Sequence, residues 1–227
     1  DELNIVSISV IVPVRDESGY FERNLLGISE QTVLPNEIVI VDSSSSDDVK
    51  GFVEQYTGTV PVIYHREKKA YPGKARNIGV DLANEKWIAF LDCKTVPEKD
   101  WLERYQHLIQ AYHADVVIGV TRFEAASPFQ KALRAATYGK IGHHTVPGTL
   151  IKKKVFIDSG GFLEHVRMGE DIEWRERLMR SGINIHKPEE LVVTYAGLPG
   201  NFSSTVKKYL TSAYHTSRLN ILRNVKD

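Results

Sequence analysis

Four short runs rich in β-branched residues, each leading into a cluster of polar side chains, constrain this chain more than any other feature. Residues 7–14 (SISVIVPV) end in Arg15, Asp16 and Glu17, and residues 37–41 (EIVIV) end in Asp42 and a serine-aspartate run to Asp48. Residues 60–65 (VPVIYH) lead on to GKARN at 73–77, and residues 86–91 (KWIAFL) end in Asp92, Cys93 and Lys94. Short apolar runs bounded by turn residues and separated by helical stretches are the pattern of strands buried in an α/β sheet. A further strand is expected at 115–120 (DVVIGV). Ligands of such sheets sit outside the carboxyl ends of the strands. The four polar clusters should therefore converge on one crevice.

A chain of 227 residues, 42% hydrophobic and 26% charged, can bury the core of one α/β domain or of two tightly joined lobes. Lys plus Arg and Asp plus Glu balance at 29 each, so no global field recruits nucleic acid, and none is expected as a partner. The single cysteine, Cys93, excludes an intramolecular disulfide framework and suits a reducing compartment. No run of 18 apolar residues and no leader before Ile5 is visible, which together give the expectation of a cytoplasmic chain. The first residue is not methionine, which leaves open that this is part of a longer protein. No linker or repeat interrupts the sequence. The serines at 43–46 lie between a strand and a helix, where hydroxyls cap the helix or bind polar ligands. Trp101, Leu102, Tyr105, Leu108, Ile109 and Tyr112 follow helical spacing and read as core-facing. Residues 121–147 are the least regular part.

GEDIEWRERLMRSG at 169–182 follows DSGGF at 158–162 and opens a helical run. Unpaired N–H groups and the macrodipole at a helix start favour an ionised carboxylate. Such a group suits proton abstraction from a sugar-like hydroxyl, although Glu-Asp at a helix start also serves simply as a cap.

In order and spacing, these elements resemble the inverting glycosyltransferases of family 2. The carrying residues are VIVPVRDE at 10–17, IVIVDSSSSDD at 38–48, GKARNIG at 73–79, WIAFLDCKTVPEKDWL at 87–102, PGTLIKKKVFIDSGGF at 147–162 and GEDIEWRERLMRSG at 169–182. The resemblance spans most of residues 5–190 and implies the α/β GT-A fold, a Rossmann-like nucleotide-diphospho-sugar transferase with a mostly parallel central sheet flanked by helices. It implies one catalytic domain over 1–202, with a donor nucleotide-binding half at 1–120 and an acceptor-binding, catalytic half at 121–202. The implied partners are a nucleotide-diphosphate sugar and a glycan or lipid-linked acceptor.

Residue by residue, the resemblance places the base and ribose near Pro13, Val14, Arg15, Glu17, Asp42 and Ser44. An aspartate there can accept from a uracil-type N–H or a ribose hydroxyl, with helix capping the alternative for Asp42 and Asp47. Arg76 resembles the residue that reaches toward the diphosphate, a task suited to a guanidinium fork, with a plain surface pair as the alternative. Lys74, Asp92, Cys93 and Lys94 complete the donor set. Asp171 occupies the place of the general base and Glu170 that of an orienting group. On the acceptor side stand Trp174, as an apolar platform or a core residue, and Tyr138 and His144, as polar contacts or solvated loop residues. His143 and His144 are adjacent and point to opposite faces of a strand, which argues against zinc.

One departure bears on the chemistry. Where family members carry a second acidic residue, giving a D-x-D motif that helps bind a divalent cation, this chain has Lys94. The late histidine often found near residue 196 is also missing, since the sequence reads TYAGL at 194–198. Either no metal is needed, Lys94 supplying part of its charge, or Mg²⁺ or Mn²⁺ binds through Asp92 and the donor phosphates while Lys94 turns outward. The broken motif also raises the alternative of a sugar-nucleotide-binding module without transferase activity. A nucleotidyltransferase would need a phosphate-cradling glycine loop after the first strand, which VPVRDE lacks.

The segment 203–227 carries Lys207, Lys208, Arg218, Arg223 and Lys226 against one acid, Asp227. Val206, Leu210, Ala213, Tyr214, Ile221 and Leu222 give it a partial apolar stripe. It is expected to be a basic amphipathic helix, either packed on the catalytic domain or in peripheral contact with an anionic membrane surface.

Overall fold

The computed structural model describes residues 6–217 and 219. The expectations for Ile5, Arg218, Ile221, Leu222, Arg223, Lys226 and Asp227 lie outside them. Strands β1 (Ile8–Val14), β2 (Glu37–Asp42), β3 (Val62–Arg66) and β4 (Trp87–Phe90) form the parallel half of the sheet, in the order β3-β2-β1-β4. Helices α1 (Ser18–Ser29), α2 (Asp48–Glu54) and α3 (Pro72–Leu82) supply the crossovers between them. All four strands begin or end within two residues of the expected runs.

Beyond β4 the sheet changes character. The short β5 (Thr95–Pro97), helix α4 (Trp101–Tyr112), β6 (Val116–Phe123), α5 (Pro128–Thr137) and β7 (His143–Lys152) follow in the chain. Next come α6 (Lys153–Asp158), α7 (Glu170–Met179), β8 (Ile185–His186), β9 (Val193–Tyr195) and α8 (Phe202–Thr216). β7 inserts antiparallel between β4 and β6, and β5 pairs antiparallel with β9. The sheet is therefore mixed: β1 to β4 pair in parallel, β6 pairs in parallel with β8 and β9, and the remaining pairings are antiparallel.

Alternation along the strands divides the core into two faces. Val10 and Val12 face Phe21, Leu25, Ile28 and Trp101 on one side, while Ile11 and Val39 face Phe90, Phe156, Phe162 and Trp174 on the other. In α4, Trp101, Leu102 and Tyr105 are buried as expected, but Tyr112 is 54% exposed and stacks on His186 at 3.9 Å.

Residues 121–147 are more regular than their sequence suggests. They complete β6, form α5 and begin β7. The start of α5 carries a capping box, in which the Ser127 hydroxyl accepts from the Gln130 N–H and the Gln130 side chain returns to the Ser127 N–H, with Pro128 at the first helical position. A second capping box, Asn201 with Ser204, starts α8 one residue before the expected 203. Among the described residues no helix is long and apolar enough to cross a membrane.

Candidate active site

Parallel pairing brings the carboxyl ends of β1 and β2 level, with Val14 opposite Asp42, and the loops that follow are stitched together. Asp16 adopts a left-handed conformation (φ 53°), and its Oδ1 accepts from the Ser45 N–H and hydroxyl, both at 2.7 Å. These two bonds, the backbone one first, hold its carboxyl below the usual range. In return the Asp16 N–H donates to Ser44 Oγ at 2.9 Å. Over these loops lies a cleft of about 310 Å³, to whose lining Pro13, Val14, Arg15, Glu17, Arg76, Asp92, Cys93 and Lys94 all contribute.

Three residues assigned to the donor do not line it. Asp42 is fully buried; its Oδ1 accepts from the Ser44 N–H and its Oδ2 from the Tyr64 hydroxyl and Arg66, each at 2.8 Å. It organises the loop from beneath, because a buried carboxylate must fill its acceptor sites from the protein. Ser44 is likewise engaged with Asp16 and Asp42. Lys74 turns away to Glu67 at 3.3 Å. The neighbouring Ser43 lines the cleft instead, and its buried hydroxyl has no hydrogen-bond partner among the described residues. The serine run signalled a polar loop but not which hydroxyl faces inward.

At the centre stands Arg76, buried on α3. One terminal nitrogen meets Asp92 Oδ1 at 2.6 Å and the other meets Glu170 Oε1 at 2.9 Å. Its guanidinium lies 5.3 Å from the centroid of Phe162, and its Nε is buried without a hydrogen-bond partner among the described residues. Burial works against the Arg76 charge, but Asp92, Glu170 and Asp171 outweigh it and raise its pKa. Both terminal nitrogens of Arg76, the expected diphosphate contact, hold carboxylates, while the residue itself lines the cleft. Asn77, one residue on, clasps the Phe162 backbone through two bonds of 2.9 Å and fixes α3 against the loop that precedes α7.

The two carboxylates of the Glu-Asp pair part ways. Gly169 caps α7 at φ 91°, a conformation glycine adopts without strain. Glu170 then turns inward to Arg76; burial pushes its pKa up, Arg76 pulls it down and Asp171 adds to the rise. Asp171 stays half-buried beside Arg76, and among the described residues it has no hydrogen-bond or ion-pair partner. Trp174 corrects the expected sugar platform. It is fully buried among Phe90, Phe156 and Phe162, with Nε1 donating to Ser159 Oγ at 3.1 Å, because the helix turn after Asp171 docks on the sheet.

Lys94 does not turn outward. Its ammonium pairs with Glu17, lies 5.5 Å from the centroid of Tyr20 and borders the cleft. Its stem runs over Gly197, where a Cβ would come within 2.3 Å of Lys94 Cδ. The segment that lacks the late histidine therefore supports the lysine. Cys93 is buried, its Sγ 3.3 Å from the Glu17 carbonyl, and burial, with Glu17 and Asp92, pushes its thiol up to about 12. These residues do not make a hard-cation shell. Asp92, the expected metal ligand, has one oxygen on Arg76, an ammonium occupies the next acidic position, and among the described residues no group of three His, Cys, Asp or Glu side chains is placed to hold a metal ion.

The acceptor-side expectations also change. Tyr138 stacks on Phe123 at 3.8 Å and does not line the cleft; it connects to it through Phe123, which meets Tyr195 at 5.3 Å. His144 is exposed and its Nε2 is 2.8 Å from the Pro188 carbonyl, away from the cleft. Residues not anticipated from the sequence line it instead: Tyr71, Arg167, Met168 and Tyr195. Tyr71 immediately precedes α3 and Met168 immediately precedes the α7 cap, so proximity to the two motifs was the available signal.

The sequence pattern of glycosyl transferase family 2 matches residues 9–168. The chain is 26% identical over 216 residues to the glycosyltransferase AglE of Haloferax volcanii, covering 88% of this chain and 70% of AglE. It is 24% identical over 204 residues to the pre-mycofactocin glycosyltransferase of Mycobacterium tuberculosis, covering 82% of this chain but 42% of that one. Residues 1–349 of S. aureus TarS, solved in complex with UDP-GlcNAc, superpose with a TM-score of 0.69 at 18% identity, over 88% of this chain and 61% of that 1–349 fragment. The chain thus spans well under two thirds of the length of several relatives it matches. With the strand-end cleft, the Glu-Asp helix start and a family match over 160 of 227 residues, the chain belongs to glycosyl transferase family 2 and has its α/β GT-A fold.

Proposed function

We propose that this chain transfers a sugar from a nucleotide-diphosphate sugar to a hydroxyl of a glycan or lipid-linked acceptor, with inversion at the anomeric carbon and Asp171 as general base. The observation that carries the reading is the division of labour at the start of α7. Glu170 is buried and held by Arg76, whereas the neighbouring Asp171 is half-buried without a partner among the described residues. A donor of this class is supported by the family and by the UDP-GlcNAc complex of TarS.

In the proposed step the acceptor oxygen attacks the sugar C1 from the face opposite the nucleotide. The C1–O bond to the β-phosphate breaks, the nucleoside diphosphate leaves with the bonding pair, and the acceptor proton passes to Asp171. Single displacement inverts the configuration. Lys94 faces the charge that develops on the leaving phosphate, where a preorganised cation is worth more than in water. Arg76 holds Asp92 and Glu170 in place, and its unpaired Nε–H offers a donor to the same region. A divalent cation, where family members use one, shields the leaving diphosphate; the donor set here lacks the oxygens to hold it, and no step above depends on one.

The test is release of nucleoside diphosphate from a panel of nucleotide sugars with candidate acceptors, with the product anomer read by NMR. Asp171→Asn should lower kcat by about 10²–10⁴-fold and leave nucleotide affinity within a few-fold. A retained anomer, or a variant keeping more than about a tenth of the wild-type rate, would contradict the assignment. Donor binding with no transfer to any acceptor would favour a binding module.

A further inference from the structure

Helix α8 is amphipathic in the reverse sense of an ordinary surface helix. The face it turns to the protein is polar: Thr205, Lys208, Thr211, Ser212, His215 and Thr216 are its buried and half-buried residues. That face borders the cleft. His215 Nδ1 accepts from the Arg167 N–H at 3.5 Å and its ring lies 6.2 Å from Tyr71, both of them cleft residues. Lys208 sits 5.8 Å from the Tyr138 centroid.

The opposite face is apolar and exposed. Phe202, Val206, Leu210 and Ala213 recur at helical spacing, with Tyr209 beside them; Phe202 is 74% exposed and Leu210 66%. Tyr209 lies near Tyr138 at the end of α5, three residues before Ile141, which is itself 69% exposed. A helix in water turns its apolar stripe inward. Here the polar face meets the aqueous cleft, and the apolar face, extended by Ile141, is left for an apolar medium.

Charge narrows the choice of occupant. Residues 125–157 and 191–226, which include all of α5 and α8, contain no Asp or Glu in a chain whose formal charge is otherwise balanced. Lys207 lies on the exposed side of α8, and Lys131 and Lys140 are exposed on and just after α5. A second copy meeting this face symmetrically would oppose these cations with cations. An anionic bilayer satisfies both features, since aromatic and aliphatic side chains enter the interface while flanking lysines meet the headgroups. We propose that the outward face of α8, with Ile141, docks on an anionic lipid bilayer. The cleft then opens beside the membrane surface, and among the acceptors considered above the docked orientation selects lipid-linked ones; that corollary alone rests on the proposed transfer reaction.

The experiment is co-sedimentation of the 227-residue chain with vesicles of pure phosphatidylcholine and of phosphatidylcholine with 30% phosphatidylglycerol. We expect binding to the anionic vesicles that is at least five-fold stronger than to the neutral ones and weakens with salt. The double variant Phe202→Ser, Leu210→Ser should reduce it by about ten-fold with an unchanged thermal midpoint, since both side chains are exposed. Equal binding by this variant, no binding to either vesicle, or a dimer in solution that the same substitutions dissociate would overturn the proposal. The readout needs neither donor nor acceptor, so failure of transfer activity and failure of docking are separable.

Discussion

A single guanidinium serves Asp92 and Glu170 and stands beside Asp171, so these carboxylates outnumber the cation between them, and Lys94, paired with Glu17, brings a further positive charge to the cleft. This makes Lys94 the residue on which charge balance at the leaving group turns. Its ammonium is held by Glu17, with which the diphosphate of the proposed donor would compete for the same cation. Turnover should therefore persist in EDTA, and Lys94→Ala should lower kcat by roughly 10²–10³-fold, the scale for losing one preorganised stabiliser of developing negative charge. Wild-type activity abolished by EDTA and rescued by Mn²⁺, with Lys94→Ala unimpaired, would show that a metal does this work. The replacement of an acidic residue by Lys94 was legible in the sequence. Its partner was not, because Glu17 lies on the loop of another strand and pairing across that distance is a product of topology. The same holds for Asp42 and Arg76: their positions at a strand end and in a helix were readable, but the carboxylates and cation that pair with them come from β3, α7 and the loop after β4.

At the scale of elements, α7 shows how an amphipathic start can serve two purposes. Trp174 and Leu178 anchor it to the aromatic core, while Glu170 ties its first turn to α3 through Arg76. Reading Trp174 as a platform rested on helical spacing from Asp171, but spacing alone does not tell which side of a helix meets the sheet. The buried tie predicts a pH dependence. In the folded chain the Glu170 pKa is pushed up to about 7, mainly by burial, against an ordinary 4.5. Between those values the native state binds the extra proton, so this contribution to stability is fully present at the acid end of the window and is lost as pH rises through it. The slope is at most about 1.4 kcal/mol per pH unit for one proton. Glu170→Gln keeps a carbonyl for Arg76 and removes the titration. Relative to wild type, its thermal midpoint should gain a few degrees at pH 8 and nothing at pH 5. A loss of equal size at both values would mean that the ion pair with Arg76 outweighs the burial of its charge.

The whole molecule reads as two halves by sequence but is packed as one. The parallel half was evident from its continuous apolar strands; the seam was not, because β7 begins with two histidines and contains Pro147 and Gly148, an unpromising strand by composition. Yet β7 pairs with β4 on one side and β6 on the other, and each core face draws on both halves. Val10 and Val12 share a cluster with Val117, Leu150 and Val192, and Ile11 and Val39 share the other with Val116, Ile151 and Trp174. Neither half can lose its structure without exposing apolar surface in the other, which couples their unfolding. Thermal denaturation followed by far-ultraviolet circular dichroism and by tryptophan fluorescence should give coincident single transitions. The fluorescence samples both halves, since Trp87 lies on β4, Trp101 on α4 and Trp174 on α7. A nucleoside diphosphate at about 100 times its Kd should raise the midpoint of that one transition by the linkage expected of a native-state ligand, about 2.7 kcal/mol or roughly 5–10 °C, by both probes alike. Two resolved transitions, with the nucleotide shifting one and leaving the other in place, would instead mean that the two halves fold as independent units.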